Sequence, residues 1–243
     1  MKVIKMIFFI ILSCLLVACF KPKSENKIVV ATSAEYPPFE YMQQGSIIGF
    51  DIDLINLIGK KLKLPVEIKN MQFSSILPAL LAGKVDLAIS TITITEARKK
   101  QLAFSRPYYF EQMAAVFKKG ALVNSAQSLC GKKVAAQLGT TMAIWLKNNL
   151  QCAEAQLLDS NPLAIEALKA GKIDVVVMDG TQAVIFAHKN PGLESKPIVA
   201  AKDGYGIAFT KESHLLPKVD AILKSLQDSG EIEKLKHKWL GVK

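Results

Sequence analysis

The chain has 243 residues, half of them hydrophobic, with 31 Lys and Arg against 21 Asp and Glu and a formal net charge of +10. An apolar content of that size, with no low-complexity run, excludes a disordered chain and suits one large or two modest domains. The basic residues are scattered among acids (KSENK, KKLKLPVEIK, EIEKLKHK) with no dense basic run interleaved with aromatics, which argues for a solvated mixed-charge surface and against a nucleic-acid partner.

The N-terminus reads as an export signal. Lys2 and Lys5 precede the apolar run MIFFIILSCLLVACF. That run is short of the ~20 residues a spanning helix needs. Near its end stand Leu16, Val17, Ala18 and Cys19, a sequence that resembles the bacterial lipobox. Residues 1–18 are therefore expected to be a signal peptide, Cys19 the lipid attachment, and residues 19–26 a tether. The expected location is the periplasm or cell surface, with a membrane contact through the lipid. A signal-anchor helix is the alternative. Once Cys14 leaves with the signal, Cys130 and Cys152 remain, an even pair in an oxidising compartment and a candidate disulfide. Each lies just ahead of a strand-like segment (VAAQL and AQLLDS), so a bridge fits if those strands are parallel neighbours. Two small buried thiols are the alternative.

In chain order, KIVVATS (27–33) is a short apolar strand. AEYPPFEY reads as a loop, because prolines interrupt helix and sheet interior. Phe50, Leu54, Leu57, Ile58 and Leu62 fall at helical spacing, and Pro65 ends that helix. VEIKNM alternates as a strand. Ser74 or Ser75 is placed to cap a helix over ILPALLAG, with Gly83 at its end. VDLAIS is then apolar nearly throughout, as a parallel strand buried on both faces is. From about residue 131 the order restarts. VAAQL, AQLLDS and IDVVVMD are strands, and GTTMAIWLKNN and NPLAIEALKAG are helices. Alternating strands and helices predict α/β lobes, and there are two of them.

One phrase is written twice, AGKVDLAIS at 82–90 and AGKIDVVVM at 170–178. It reads as the helix end, tight turn and core strand of one βαβ step in each lobe. Ligands of open α/β sheets bind beyond the carboxyl ends of the strands. The duplication therefore puts Ser90 with its following TITITEAR, and Asp179, at corresponding positions facing a cleft.

STITITEARKKQLAFSRPYY, with YPPFEY, GFDIDLI and DSGEIEKLKHKWLG, resembles the polar amino-acid-binding proteins of bacterial ABC transporters, solute-binding protein family 3. YPPFE looks most like the arginine-binding and lysine/arginine/ornithine-binding members. The resemblance runs over about residues 27–240 in the family's order. It implies an α/β two-lobed periplasmic-binding-protein clamp, each lobe a mainly parallel sheet flanked by helices, joined by a two-strand hinge. The crossings are expected near Met113–Phe117 and Ala201–Gly206. Lobe 1 would then hold residues 27–113 and 204–243, and lobe 2 residues 114–203. The implied partners are a free L-amino acid and an ABC permease, with a monomeric chain, no cofactor and no metal.

A bound amino acid brings a carboxylate, an ammonium and a side chain, and each needs a partner when water is excluded. Under the resemblance, Arg98 would fork onto the carboxylate; beside Lys99 and Lys100 it also reads as a surface helix residue. The helix start at Thr95-Glu96 adds N–H groups, and Thr93-x-x-Glu96 fits a capping box. Asp179 would take the ammonium, or cap the helix that follows it. Ser90, Thr91 and Thr93 offer acceptors. Gly139–Thr141 opens a lobe 2 helix, and Gln137 and Thr141 stand where the family's contacts occur. Tyr36 and Phe73 match the family's aromatic walls. Basic-ligand members carry an acid where Ser33 stands here, so Glu35 or Glu40 would have to replace it. Arginine is favoured as ligand, glutamine or another polar amino acid next. The rival classes are a cyclic-acid dehydratase and a sensor or adhesin on the same fold. The three His (188, 214, 237) are scattered, and HExxH, G-x-S-x-G and P-loop patterns are missing, so no catalytic constellation is expected.

Overall fold

The structure, a computed structural model, describes residues 27–200 and 202–241. The signal-peptide and tether readings, with Cys19, lie outside the described residues. The chain opens with β1 (Ile28–Thr32), β2 (Glu35–Tyr36), β3 (Glu40–Gln43) and β4 (Ser46–Ile48). Then come α1 (Phe50–Leu62), β5 (Val66–Asn70), α2 (Phe73–Leu81), β6 (Leu87–Ala88), α3 (Glu96–Lys99) and β7 (Leu102–Phe104). β8 (Tyr109–Phe110) precedes β9 (Met113–Lys118), β10 (Lys133–Gln137), α4 (Thr141–Asn149) and β11 (Glu154–Leu158). α5 (Asn161–Lys169), β12 (Val175–Asp179), α6 (Gly180–Lys189) and β13 (Leu193–Val199) complete the second lobe. The chain closes with β14 (Gly204–Tyr205), β15 (Ala208–Thr210), α7 (Leu215–Asp228) and α8 (Glu231–Leu240).

The two lobes share one plan. The first sheet runs β5-β1-β6-β15-β7 and the second β11-β10-β12-β9-β13. In each, three neighbouring strands pair in parallel, a fourth runs against them, and the edge strand pairs antiparallel with that fourth and so runs with the first three. The sheets are thus mainly parallel in direction, as expected, and mixed through one reversed strand each: β15 and β9 enter from the other lobe and run back. Helices cover both faces of both sheets. α1, α7 and α8 bury Leu54, Ile58, Val219, Leu223 and Ile232 on one face of the first sheet, and α2 buries Ile76 and Leu80 on the other. α4 covers one face of the second sheet with Met142 and Leu146, and α5 and α6 cover the other with Ile165, Leu168 and Ala183. β1 and β12 are buried along their whole length, which explains their unbroken apolar runs.

The repeated phrase has a structural meaning. Asp86 accepts the N–H of Val29 at 2.8 Å and donates its own N–H to the Val29 carbonyl at 2.8 Å. Asp174 does the same with Lys133, at 2.8 and 2.9 Å. Each Asp pins the turn after a helix to the start of its lobe's first parallel strand. Cys130 and Cys152 are bonded to each other. They stand just ahead of the parallel neighbours β10 and β11, so strand pairing brings them together.

Three local expectations change. AEYPPFEY is not all loop: β2, β3 and β4 form a small antiparallel sheet, and Pro37 and Pro38 occupy the turn between β2 and β3, where no ladder N–H is required. α2 begins at Phe73 with Gln72 as its cap residue and no side-chain cap, because Phe73 packs as part of the helix against the Ile76 and Leu80 core. The first crossing lies ahead of Met113. That residue pairs with Asp179 and Val199 in the second sheet, so the chain changes lobes at Glu111–Gln112. The second passage lies between Val199 and Gly204. β8 and β14 pair antiparallel beside these passages as a two-strand hinge. Among the described residues no helix is long and apolar enough to cross a membrane.

Candidate functional site

The carboxyl ends of β1, β6, β10 and β12 meet at one cleft between the lobes. All eleven residues singled out in the sequence line a single cavity there: Ser33, Glu35, Tyr36, Phe73, Ser90, Thr91, Thr93 and Arg98 from the first lobe, Gln137, Thr141 and Asp179 from the second. Glu40, Thr140 and Met142 line it as well.

The first lobe's wall is built on three chain ends. Ser33 follows β1 and gives its N–H to Ser90 Oγ at 3.1 Å. Ser90 Oγ donates in turn to Glu40 Oε1 at 2.7 Å. Thr91 sits at φ +46°, a left-handed conformation that a β-branched residue adopts only when its surroundings hold it. Its N–H is bound by Asp51 Oδ2 at 2.9 Å, and Tyr108 donates to the same oxygen at 2.9 Å. Asp51 lies in the first turn of α1 and is fully buried.

Arg98 projects from the single turn α3. Thr95, not Thr93, caps that turn by accepting the Arg98 N–H at 3.2 Å. The expected capping box is therefore displaced, since Thr93 is drawn into a bridge with Tyr205 of the hinge. The guanidinium donates to the Thr93 carbonyl at 2.7 Å and, across the cleft, to the Gly139 carbonyl at 3.0 Å. Burial pushes its pKa down to about 10, and the carboxylate of Asp179 works against that shift. Gly139 stands at φ +83°, and a Cβ there would lie 3.1 Å from Ser74 Cα. Only glycine lets the two lobes approach so closely at this point.

On the second lobe Thr140 caps α4, accepting the Ala143 N–H at 3.3 Å, and the first residues of that helix, Thr141 and Met142, line the cavity. Thr141 Oγ1 and Thr93 Oγ1 share a hydrogen bond at 3.5 Å. Gln137 donates to Glu35 Oε1 at 2.8 Å and to the Asp159 carbonyl at 3.1 Å. Asp179 is the cap residue of α6 by position, yet its side chain makes no capping bond. It accepts the hydroxyl of Tyr36 from the opposite lobe instead. Burial raises its pKa to about 7, with Tyr36 opposing the rise. Gln182 adds a bond to the Pro37 carbonyl. Arg98, Gln137, Tyr36 and Gln182 thus each bridge the lobes directly.

Charge is unequal in this cavity. Arg98 is its one cationic lining residue among the described residues, against Glu35, Glu40 and Asp179. Sequence reasoning passed over Asp51 and Met142, and met Thr140 only within the Gly139–Thr141 helix start. Asp51 carries a signal in GFDIDLI, an acid among apolar residues at the start of a helix, but a first-turn acid reads equally well as a dipole partner.

The sequence pattern of bacterial extracellular solute-binding proteins, family 3, matches residues 28–242. The chain belongs to that family. It is therefore an exported solute-binding protein of the transport class. It is 34% identical to the arginine-binding extracellular protein ArtP of Bacillus subtilis (strain 168), over 97% of each chain. It is 29% identical to the L-cystine-binding protein TcyJ of Escherichia coli (strain K12), over 91% of this chain and 85% of the relative. A solved structure of an ancestral arginine-binding protein bound to glutamine matches with a TM-score of 0.86 and 38% identity, over 90% of this chain and all of the other. The two-lobed fold is that of this family.

Proposed function

We propose that this protein captures an L-amino acid with a cationic side chain, arginine foremost, and delivers it to an ABC permease by closing its two lobes. The observation that carries the reading is the charge balance of the cavity. Arg98 and the N–H groups at the start of α4 suit the ligand's carboxylate, and Asp179 suits its ammonium. Once those charges are matched, Glu35 and Glu40 remain for the side chain, replacing the acid absent at Ser33. Ser90, Thr91 and Thr93 supply further acceptors, and Gln137 and Thr141 complete the second lobe's wall. Tyr36 and Phe73 flank the side chain, where stacking of a guanidinium is worth ~0.5–2 kcal/mol per ring. The printed ligands of the relatives support an amino acid and favour arginine, although one binds cystine and one holds glutamine.

Closure follows from contacts on both sides. A ligand that meets Arg98 and Tyr36 in one lobe and Asp179 and Thr141 in the other favours the closed state over the open one. The protein works as a monomer held to the membrane by lipid on Cys19, and it catalyses no reaction. Titration of refolded protein with arginine, lysine, ornithine, histidine, glutamine and glutamate tests the reading. Binding of arginine ahead of the neutral and acidic members supports it. Preference for glutamine overturns the cationic assignment, and failure to bind any of them overturns amino-acid capture.

A further inference from the structure

Glu40 in the cavity wall and Asp51 behind it form a pair of buried carboxyls. Glu40 is 1% exposed and Asp51 0%. Each has one oxygen with known donors: Ser90 Oγ for Glu40, and the Thr91 N–H and Tyr108 hydroxyl for Asp51. The other two oxygens, Glu40 Oε2 and Asp51 Oδ1, are buried without a donor. Adjacent residues hold the two acids, Ser90 for Glu40 and Thr91 for Asp51, and the Asp51 N–H bonds the carbonyl of Phe39, next to Glu40, at 2.9 Å, which sets the two carboxyls beside each other. Carboxylates offer only acceptors, so two buried ones whose second oxygens have no donor favour holding a proton. Tyr36, Tyr108 and Asp179 are the titratable groups that act on the pair, and Glu35 and Arg98 line the same cavity. Of these only Arg98 is cationic, and Asp179 is the charge it answers. Burial followed by mutual repulsion raises Glu40 well above the carboxylate range, and burial raises Asp51 to about 7.

We propose that Asp51, acting through Glu40, is a specificity-determining residue: the pair holds protons that a cationic ligand side chain displaces to solvent and a neutral one leaves in place. Asp51 touches no ligand atom in this scheme and is a positioning residue. The inference rests on the reading that the ligand's side chain meets Glu40. It separates the two halves of the site. Asp179 faces the ammonium, which every amino acid carries, so its titration cancels in a comparison of two ligands that differ only in side-chain charge. The Glu40–Asp51 pair does not cancel.

The test compares arginine with citrulline, its neutral isostere, by calorimetry of the full folded protein between pH 5.5 and 8, in buffers of different ionisation heat. The expected result is a preference for arginine that falls roughly tenfold from pH 8 to pH 5.5, with more protons released by arginine than by citrulline. In Asp51→Asn, where Glu40 keeps its burial but loses its like-charged neighbour, the ratio's dependence on pH becomes clearly shallower. A merely structural role for Asp51 would weaken both ligands together and leave the ratio's pH profile alone. The wild-type ratio and proton count need no variant, so a folding failure of Asp51→Asn leaves the test intact. Equal proton counts and a pH-flat ratio in the wild type overturn the inference while arginine capture stands. Absence of any arginine binding overturns that reading and the inference with it.

Discussion

Asp179, the last residue of the second lobe's central parallel strand, accepts the hydroxyl of Tyr36, the last residue of a two-residue strand in the first lobe, 143 positions earlier in the chain. A residue placed to cap a helix has turned its carboxylate into the cleft. The bond ties the two lobes together at the point where a ligand's ammonium is proposed to sit.

Arg98 is the test of carboxylate recognition. Arg98→Ala is expected to weaken arginine binding by at least a hundredfold in calorimetry, because a buried charge is then left without its partner. Arg98→Lys recovers only part of this, since an ammonium lacks the guanidinium fork. Near-normal affinity in Arg98→Ala would remove this residue from the site.

Glu35 and Glu40 carry the assignment of side-chain charge. The double change Glu35→Gln with Glu40→Gln is expected to cut affinity for arginine by tenfold or more and to leave glutamine less affected. A parallel loss for both ligands in competition titration would place these acids outside side-chain recognition.

Stability should respond to pH through Asp179. Its pKa rises from the ordinary carboxylate value to about 7 because it is buried. The folded protein keeps a proton that the unfolded chain gives up above about pH 4. Stability is therefore highest in the acidic part of this window and falls as pH climbs toward 7, by a few kcal/mol from this group. Asp179→Asn removes that slope. Thermal unfolding of wild type and variant between pH 4 and 8 measures it: the variant should gain on the wild type as pH rises, and parallel curves would contradict the assignment.

The Cys130–Cys152 bridge closes a loop with a sequence separation of 22, worth about 3 kcal/mol in the chain-entropy account. Replacing both by Ser is expected to lower the unfolding midpoint and to change ligand affinity less than twofold. The bridge precedes β10, whereas Gln137 stands at that strand's far end. A large affinity change would show that the bridge reaches the site.

Much of this was legible in the sequence. The two AGK-x-D phrases marked equivalent βαβ steps, and their Asp residues do make matching bonds, to Val29 and to Lys133. Buried strands such as VVVMD announce themselves by composition, and the ends of such strands point to the cleft. The small β2-β3-β4 sheet was hidden because Pro37 and Pro38 dominate its local signal, although they occupy only the turn. The choice between capping and cleft roles for Asp179 was undecidable from the chain, since it depends on Tyr36 in the other lobe. Asp51 escaped for a similar reason: its partners Thr91, Tyr108 and Glu40 come from three separate segments, and a first-turn acid needs no further explanation until its burial is known.

The central claim is that both lobes grip one amino acid. The most direct measurement is titration of arginine into the stripped wild-type protein and into Asp179→Ala, with small-angle scattering of each before and after. The account predicts one arginine per wild-type chain, a contraction on binding, and a loss of affinity of a hundredfold or more in the variant. Arginine binding of equal strength in both proteins, or binding with no contraction, would contradict it.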